Sequence, residues 1–282
     1  MSVWEALILG VVQGAAEFLP ISSSGHLVLL RKVFGIEEGA LVFDTAVHGG
    51  TLIAVLAVLR RDVLGILRHI VQPLSLYLII ATIPAVIAAL FFKNLIEEAF
   101  ASGAFLGFAF LITSGLLVVS EALFRRAGKL GGPPAKIERP LPARGREKMN
   151  WLDALLIGLL QAAAITPGIS RSGATISAAL SRRLDRDFAA RFSFLLSIPA
   201  ILGALALQAK DLARAAGPEL DAGAVGILPI AVGTASACIV GFFSIRLALK
   251  IVREHSLLGF ALYTGILGLL VLADQFGTKF FF

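Results

Sequence analysis

The fold is decided by two interruptions of apolar sequence, QGAAEFLPISSSGH at residues 13–26 and PGISRSGAT at residues 167–175. They lie within the hydrophobic stretches 3–34 and 151–181, and each introduces proline, glycine and a run of serines near the middle. Irregular polar backbone at membrane depth is tolerated only where protein or water covers it. We therefore predict that both stretches are re-entrant helix-turn-helix hairpins whose tips point into the protein.

The composition of the whole chain is that of an integral membrane protein. Of its 282 residues 57% are hydrophobic and 16% are charged, with a mean hydropathy of +0.89, whereas soluble domains carry about a quarter charged residues. Residues 1–10 show no basic segment or cleavage site, so we expect no removable signal peptide. Six more stretches have the length and apolarity of a bilayer span, at about 41–59, 74–92, 104–124, 188–208, 224–245 and 257–276. The predicted fold class is all-α integral membrane, with six transmembrane helices and two re-entrant hairpins.

The two interruptions belong to an internal repeat. Shifting the sequence by 148 residues aligns 6–25 with 154–173 at ten identities in twenty positions, including a glutamine and Ile-Ser-x-Ser-Gly. Each half then holds one hairpin and three spans, and because three is odd, the second half enters the membrane from the opposite side. We predict two inverted-topology repeats in one membrane domain, residues 1–124 and 151–282, joined by a basic loop at 125–150.

Positive charge predicts the orientation. When the loops at 60–73, 125–150, 182–191 and 246–255 lie on one side, that side carries 18 Lys and Arg and the other side carries six. The richer side is cytoplasmic by the positive-inside rule, which places the first hairpin on the outer face. The net charge of +6 comes from the basic loop, so we expect no nucleic-acid partner.

The ionisable residues that fall inside apolar sequence gather at the two interruptions. Glu17 and Gln13 are four residues apart and share a helix face. If the tips meet, helix N-termini, hydroxyls and a guanidinium converge on a carboxylate and an imidazole, which is typical of a phosphate or diphosphate site. The candidates for binding phosphate are Ser22, Ser24, Gly25, Ser170, Ser172, Gly173 and Thr175, and the candidates for chemistry are Glu17, Ser23, His26 and Arg171.

Structural interpretations of the same residues stay open. Glu17 could cap a turn or pair with Arg171, each serine could be a helix N-cap, and His26 could be a polar packing residue. Gln13 aligns with Gln161 in the repeat, which favours a shared structural hydrogen bond. Asp44 and His48, four residues apart, form a further polar pair that could lie near the site.

The two motifs resemble those of the undecaprenyl-diphosphate phosphatase family, also known as the bacitracin-resistance proteins. The family's first motif, Glu or Gln, three residues, Glu, then Pro and a Ser-Ser-x-Gly-His run, matches residues 13–26, and its second, Pro-Gly-x-Ser-Arg-Ser-Gly-x-Thr, matches residues 167–175. The resemblance covers essentially the whole chain. It implies removal of the terminal phosphate of undecaprenyl diphosphate, which recycles the lipid carrier for peptidoglycan synthesis and gives bacitracin tolerance.

The resemblance also implies that a divalent metal assists the reaction. We predict a location in the bacterial plasma membrane, with the active site open to the periplasmic side. Mg²⁺ or Ca²⁺ would be held at Glu17 and Gln13, and Arg171 with nearby backbone N–H groups would neutralise the transferring phosphoryl group. Ser23 or an activated water would be the nucleophile, His26 would act as acid or base, and the polyprenyl tail would lie between spans or in membrane lipid. The sequence is compatible with a homodimer. The alternatives are a transporter or flippase for an anionic polyprenyl lipid and a non-catalytic membrane scaffold.

Overall fold

The structure, a computed structural model, describes residues 1–36, 40–129, 148–215 and 226–280. These residues form α-helices and contain no β-strand. In chain order the helices are α1 (Val3–Ala16), α2 (Ser23–Phe34), α3 (Ala40–Val58), α4 (Arg60–Arg68), α5 (Pro73–Phe91), α6 (Lys93–Ser102), α7 (Leu106–Lys129), α8 (Trp151–Ala163), α9 (Arg171–Ser181), α10 (Arg186–Ala215), α11 (Ile227–Glu254) and α12 (Leu258–Ala273). A π-helical turn, Asp274–Thr278, follows α12.

Five helices in the described residues are long and apolar enough to cross a membrane: α5, α7, α10, α11 and α12. Helices α3 and α4 together make a sixth candidate span if they are counted as one, although the chain bends by 79° between them. The prediction of an all-helical membrane protein is thereby confirmed, with five to six candidate spans where six were predicted. Helices α4 and α6 were not predicted. Most of the predicted basic loop, residues 130–147, lies outside the described residues.

Large apolar side chains cover the outside of the helices. Ile79, Ile83 and Leu90 of α5 and Leu262 and Leu269 of α12 are each about half exposed or more. A soluble protein does not present apolar side chains along whole helices to water, whereas a bilayer accepts them. The exposed faces of α5 and α12 are therefore lipid-facing surfaces.

Helices α1 and α8 are too short to span, and both begin with the same capping arrangement. Ser2 Oγ accepts from the backbone N–H of Glu5 while a Glu5 carboxylate oxygen accepts from the N–H of Ser2. Asn150 and Asp153 exchange the equivalent pair of bonds at the start of α8. With 14 and 13 residues at 1.5 Å each, these helices reach roughly 20 Å, less than the hydrocarbon thickness.

Glycines allow both short helices to pack closely on long ones. A Cβ added at Gly14 of α1 would lie 2.6 Å from the carbonyl oxygen of Ala237 in α11. A Cβ at Gly158 of α8 would lie 2.6 Å from the carbonyl oxygen of Ala81 in α5. Such close backbone contact is how helices associate in lipid, where apolar burial supplies little driving force. These contacts hold α1 against α11 and α8 against α5.

Candidate active site

The first break follows α1 and turns at a strained serine. Ser22 has a φ of +71°, a region that residues other than glycine rarely adopt, and its Oγ accepts from the backbone N–H of Gly25 at 3.3 Å. The Ser22 carbonyl accepts from the backbone N–H and the ring Nδ1 of His26, at 3.2 and 2.7 Å. Ser22 is therefore the N-cap of α2, and it also holds the His26 ring.

The second break follows α8 and is anchored to α7. Gly168 has a φ of +92°, and its carbonyl accepts from Thr113 Oγ1 of α7 at 3.1 Å. The same hydroxyl accepts from the backbone N–H of Ser170 at 2.9 Å. Ser170 Oγ in turn accepts from the N–H of Gly173 at 3.0 Å, which makes Ser170 the N-cap of α9. The serine that caps each helix is the one shared by the two copies of the repeat.

The two breaks are in direct contact with each other. A Cβ on Gly25 would lie 2.9 Å from Gly168 Cα, so only glycine permits this approach. Ser172 Oγ donates to the carbonyl of Leu19 at 2.9 Å, from the second break to the first. The expected convergence of the two interruptions is therefore what the structure has, and the N-termini of α2 and α9 meet there.

Glu17 lies at the centre of this contact and is almost fully buried. Its Oε1 accepts from Arg171 Nη2 at 2.7 Å, and its Oε2 accepts from Ser23 Oγ at 2.6 Å and from Gln13 Nε2 at 3.0 Å. His48 Nε2 lies 3.9 Å from Oε2. Glu17 is 8% exposed, so these donors replace the water that a carboxylate would otherwise need. The pairing with Arg171 and the short contact from Ser23 are compatible with both a structural and a catalytic role.

Arg171 is held from both ends of its guanidinium. Nη1 donates to the carbonyl of Ser193 in α10 at 3.2 Å, while Nη2 donates to Glu17. Thr175 lies one turn behind Arg171, and its hydroxyl bonds with the carbonyl of Arg171 at 2.8 Å and with Ser193 Oγ at 2.6 Å. Thr175 is fully buried, and its hydrogen bonds link the start of α9, which carries Arg171, to Ser193 of α10. The N–H groups of Arg171 that these bonds do not use remain available for an anion.

The His26 ring is in contact with α12. Because a carbonyl only accepts, the ring Nδ1 carries a hydrogen for Ser22, and Nε2 is left as the nitrogen able to exchange a proton. Nε2 lies 2.6 Å from the hydroxyl of Tyr263, whose ring is nearly parallel to the imidazole. Tyr263 therefore covers the one nitrogen of His26 that could take part in chemistry.

The remaining candidates fall around this centre. Ser22 and Ser24 hydroxyls lie 3.4 Å apart, and Ser170 and Ser172 hydroxyls lie 3.2 Å apart. Gln13 and Gln161 do not make equivalent bonds, since Gln161 Nε2 donates to the carbonyl of Ala81 at 3.3 Å. The equivalent repeat positions thus serve different neighbours.

Of the Asp44–His48 pair, only His48 lies next to Glu17. His48 faces Glu17 from α3, and its Nδ1 donates to the Asp44 carbonyl at 2.7 Å. Asp44 itself pairs with Arg31 at 2.7 Å. Three contributing residues were not singled out from the sequence: Thr113, Ser193 and Tyr263. The sequence feature that could have indicated them is that each is a polar side chain inside an apolar span.

Comparison with known proteins identifies the family. The model of the family described as "Bacitracin resistance protein BacA" matches residues 6–270. The chain belongs to this family. The resemblance of the two motifs is thereby confirmed, and in this BacA-family chain the match runs through both breaks and all the spans between them.

Similar proteins match over 98% or more of their own length. This chain is 43% identical over 280 residues to a protein named undecaprenyl-diphosphatase from Carboxydothermus hydrogenoformans, covering 99% of this chain and 100% of the relative. It is 41% identical to undecaprenyl-diphosphatase 4 of Bacillus thuringiensis subsp. konkukian, with the same coverage. An undecaprenyl-diphosphatase of Methanosphaera stadtmanae is 36% identical and is covered to 98%.

Proposed function

We propose that this chain hydrolyses undecaprenyl diphosphate to undecaprenyl phosphate and inorganic phosphate. The reaction recycles the lipid carrier for peptidoglycan synthesis and gives tolerance to bacitracin. The observation that carries the proposal is the buried contact of Glu17 with Arg171 and Ser23 where two helix N-termini meet. The names of the relatives specify the substrate, and the geometry supplies the groups that its reaction needs.

The terminal phosphoryl group would be bound between the breaks. Arg171 keeps one arm on Glu17 and one on the Ser193 carbonyl, and its remaining N–H groups would contact phosphoryl oxygens. Backbone N–H groups at the starts of α2 and α9, with the hydroxyl of Ser24, would surround the other oxygens. The hydroxyl of Ser172 would join them only by giving up its hydrogen bond to the Leu19 carbonyl. Phosphoryl transfer depends mostly on positioning and on neutralising charge, which this arrangement can supply.

Glu17 would serve as the base. Ser23 Oγ already donates to Glu17 at 2.6 Å, so Glu17 can take its proton as Ser23 attacks the terminal phosphorus, or take a proton from water bound there instead. In either case the bond from the terminal phosphorus to the bridging oxygen breaks and undecaprenyl phosphate leaves. On the Ser23 route a water then attacks the phosphorus and breaks its bond to Ser23 Oγ, so on either route water supplies the oxygen that ends on inorganic phosphate. His26 would exchange a proton through Nε2 after Tyr263 moves, or through the tyrosine hydroxyl.

A divalent metal, Mg²⁺ or Ca²⁺, fits the residues present. Gln13 Oε1 is buried beside Glu17 and has no hydrogen-bond partner among the described residues, and amide and carboxylate oxygens are ligands that hard cations prefer. The described residues contain no cluster of three or more His, Cys, Asp or Glu suited to a metal, so the protein would supply few ligands. Gln13 and Glu17 would hold the cation, and when bound it would neutralise charge on the diphosphate oxygens.

The proposed architecture is two re-entrant hairpins in inverted repeats, residues 1–124 and 151–282. Two observations support it. Helices α1 and α8 carry matching capping boxes, and each packs on a long helix of the other half, α1 on α11 and α8 on α5. Equivalent contacts of this kind are expected if a pseudo-two-fold axis relates the two halves.

The proposed location is the bacterial plasma membrane, with the site open to the periplasmic side. Support comes from the excess of Lys and Arg on the opposite side. A cysteine near Gly131, in the basic loop outside the described residues, tests this in a Cys238→Ala background. A membrane-impermeant thiol reagent should label it only in inverted vesicles or broken cells. Labelling in intact spheroplasts would overturn the orientation.

The activity is tested by phosphate release from undecaprenyl diphosphate in detergent, with purified protein. Transport needs two compartments, so hydrolysis in detergent separates a phosphatase from a flippase. The parent should release phosphate, a chelator should reduce the rate, and Glu17→Gln should nearly abolish it. No phosphate release by the parent, together with lipid movement in vesicles, would favour the flippase instead.

A further inference from the structure

A largely apolar cavity of about 400 Å³ lies beside the second break. One wall comes from the end of α5 and from α6, including Ala88 and Ala99, and the opposite wall comes from the end of α8 and the residues that follow it, Ile165 and Thr166. Thr166 carries the one hydroxyl of the lining. The volume lies within the usual range for a binding site for a small molecule. The lining can hold hydrocarbon and offers almost nothing to a polar group.

The cavity lining and the candidate active site are joined by one short turn of the chain. Thr166 lies four residues before Ser170, and its carbonyl accepts from the backbone N–H of Ile169 at 3.1 Å, which folds the chain back on itself. The next residues, from Ser170 to Gly173, form the start of α9 in the site. A molecule with its head group at the start of α9 would therefore have this cavity next to it.

The cavity also opens towards lipid. Phe92 and Leu95, which line it, remain 57% and 64% exposed, and they lie where α5 ends and α6 begins. In the proposed orientation this is the outer half of the membrane, the same side to which the active site opens. A chain leaving the site through the cavity would enter the bilayer without crossing a polar surface.

We propose that this cavity binds the isoprene units of the polyprenyl tail that follow the diphosphate. The proposal rests on the proposed function, because it takes the head group to be bound between the two breaks. The tail is favoured over an acyl chain of a membrane phospholipid by the continuity of cavity and site. The tail of a substrate whose head group is bound in the site needs an apolar path that starts there. A phospholipid has no head group bound in the site that would place its acyl chain against this turn.

The proposal is tested with variants whose larger side chains fill the cavity, by measuring KM and kcat separately. Ala88→Trp should raise the KM for undecaprenyl diphosphate about tenfold or more, the loss expected when about two methylene groups are no longer buried. The kcat should stay within about twofold, because the head-group contacts are untouched. Ala162 also lines the cavity, so Ala162→Leu, which adds a smaller side chain than tryptophan, should raise KM by a smaller factor. Ile87→Trp, next to Ala88 but outside the lining and half exposed, is the matched control and should leave both constants unchanged.

A second measurement identifies the occupant directly. Undecaprenyl diphosphate carrying a diazirine near the start of its tail should label peptides from α5, α6 or residues 162–166 in the parent, and Ala88→Trp should lose this labelling. Unchanged KM in both filled variants, or a fall in kcat with KM unchanged, would overturn the proposal. It would also be overturned if a diazirine phospholipid labelled the same peptides and excess undecaprenyl diphosphate did not reduce that labelling. Absence of phosphate release by the parent would instead count against the proposed function, while the labelling still reports on the cavity.

Discussion

Replacing Arg171 by lysine keeps the charge and removes the planar fork, so it isolates what the guanidinium does. Two arms of Arg171 are already engaged, Nη2 with Glu17 at 2.7 Å and Nη1 with the Ser193 carbonyl at 3.2 Å. Of its five N–H groups, about three then remain for the phosphoryl oxygens. A lysine has three donors in all, so if it keeps both protein contacts, about one remains for the substrate.

The expected loss follows from that difference. Removing one donor aimed at the charge that develops in a transition state typically costs 10² to 10³ in rate, roughly 2.7 to 4 kcal/mol. An ammonium is also more strongly hydrated than a guanidinium and so is harder to desolvate at membrane depth. We expect Arg171→Lys to lower turnover at least about tenfold, and nearly as far as Arg171→Ala does.

Stability separates the two variants. Lysine still neutralises the buried Glu17, so Arg171→Lys should denature in detergent near the parent temperature. Arg171→Ala leaves that carboxylate unpaired, which costs about 3–5 kcal/mol for a buried pair. The assay is phosphate release from undecaprenyl diphosphate, with thermal denaturation followed by fluorescence. Parent-like turnover of Arg171→Lys would refute the clamp and reduce Arg171 to a source of positive potential.

Three further predictions concern the base, the histidine and the packing. Glu17→Gln should retain less than about a tenth of the parent turnover, a loss above ~1.4 kcal/mol of transition-state stabilisation, and higher activity would remove Glu17 from the chemistry. Gln13→Glu places a second buried carboxylate beside Glu17, so it should be tolerated only when the divalent cation is bound. If His26 exchanges its proton through the tyrosine hydroxyl, Tyr263→Phe should lower turnover about two- to tenfold, with thermal stability near that of the parent. An unchanged or higher rate would exclude that route and favour the one in which Tyr263 moves away. Gly14→Ala should lower thermal stability, by about 1–3 kcal/mol of overpacking, because its Cβ would lie 2.6 Å from a carbonyl oxygen of α11. Gly115→Ala, in open space, is its control and should not destabilise; equal effects of the two would count against the close α1–α11 contact.

The sequence predicted the parts of the fold that follow from local chemistry. Long apolar runs predicted the spans, and serines at the two interruptions predicted where α2 and α9 begin, since Ser22 and Ser170 are the N-caps of those helices. The short helices α4 and α6 were missed for a physical reason. Each mixes charged and apolar residues over about two to three turns, which in a sequence is hard to distinguish from a polar loop between spans.

The candidate site could be predicted only where its residues lie within the two motifs. Glu17 and Arg171 were already weighed as a pair, and the structure has them in contact. Tyr263 is 237 residues from His26, and Ser193 reaches Arg171 from a different helix, so no local pattern links them. Such contacts depend on which helices pack together, and hydrophobic periodicity does not specify that. The different partners of Gln13 and Gln161 show the same limit for a repeat, because equal residues meet unequal neighbours.

The central claim is that the two breaks form one site within the membrane, and a pair of cysteines tests it most directly. A Cβ on Gly173 would lie 3.5 Å from the Cβ of Pro20, a separation that a disulfide spans. In a Cys238→Ala background, Pro20→Cys with Gly173→Cys should form an intrachain disulfide in native membranes under mild oxidation. Either cysteine alone should not, and undecaprenyl diphosphate should slow the reaction. Failure of the pair to cross-link while both thiols are present and reduced would contradict the account, because the two breaks would then be apart.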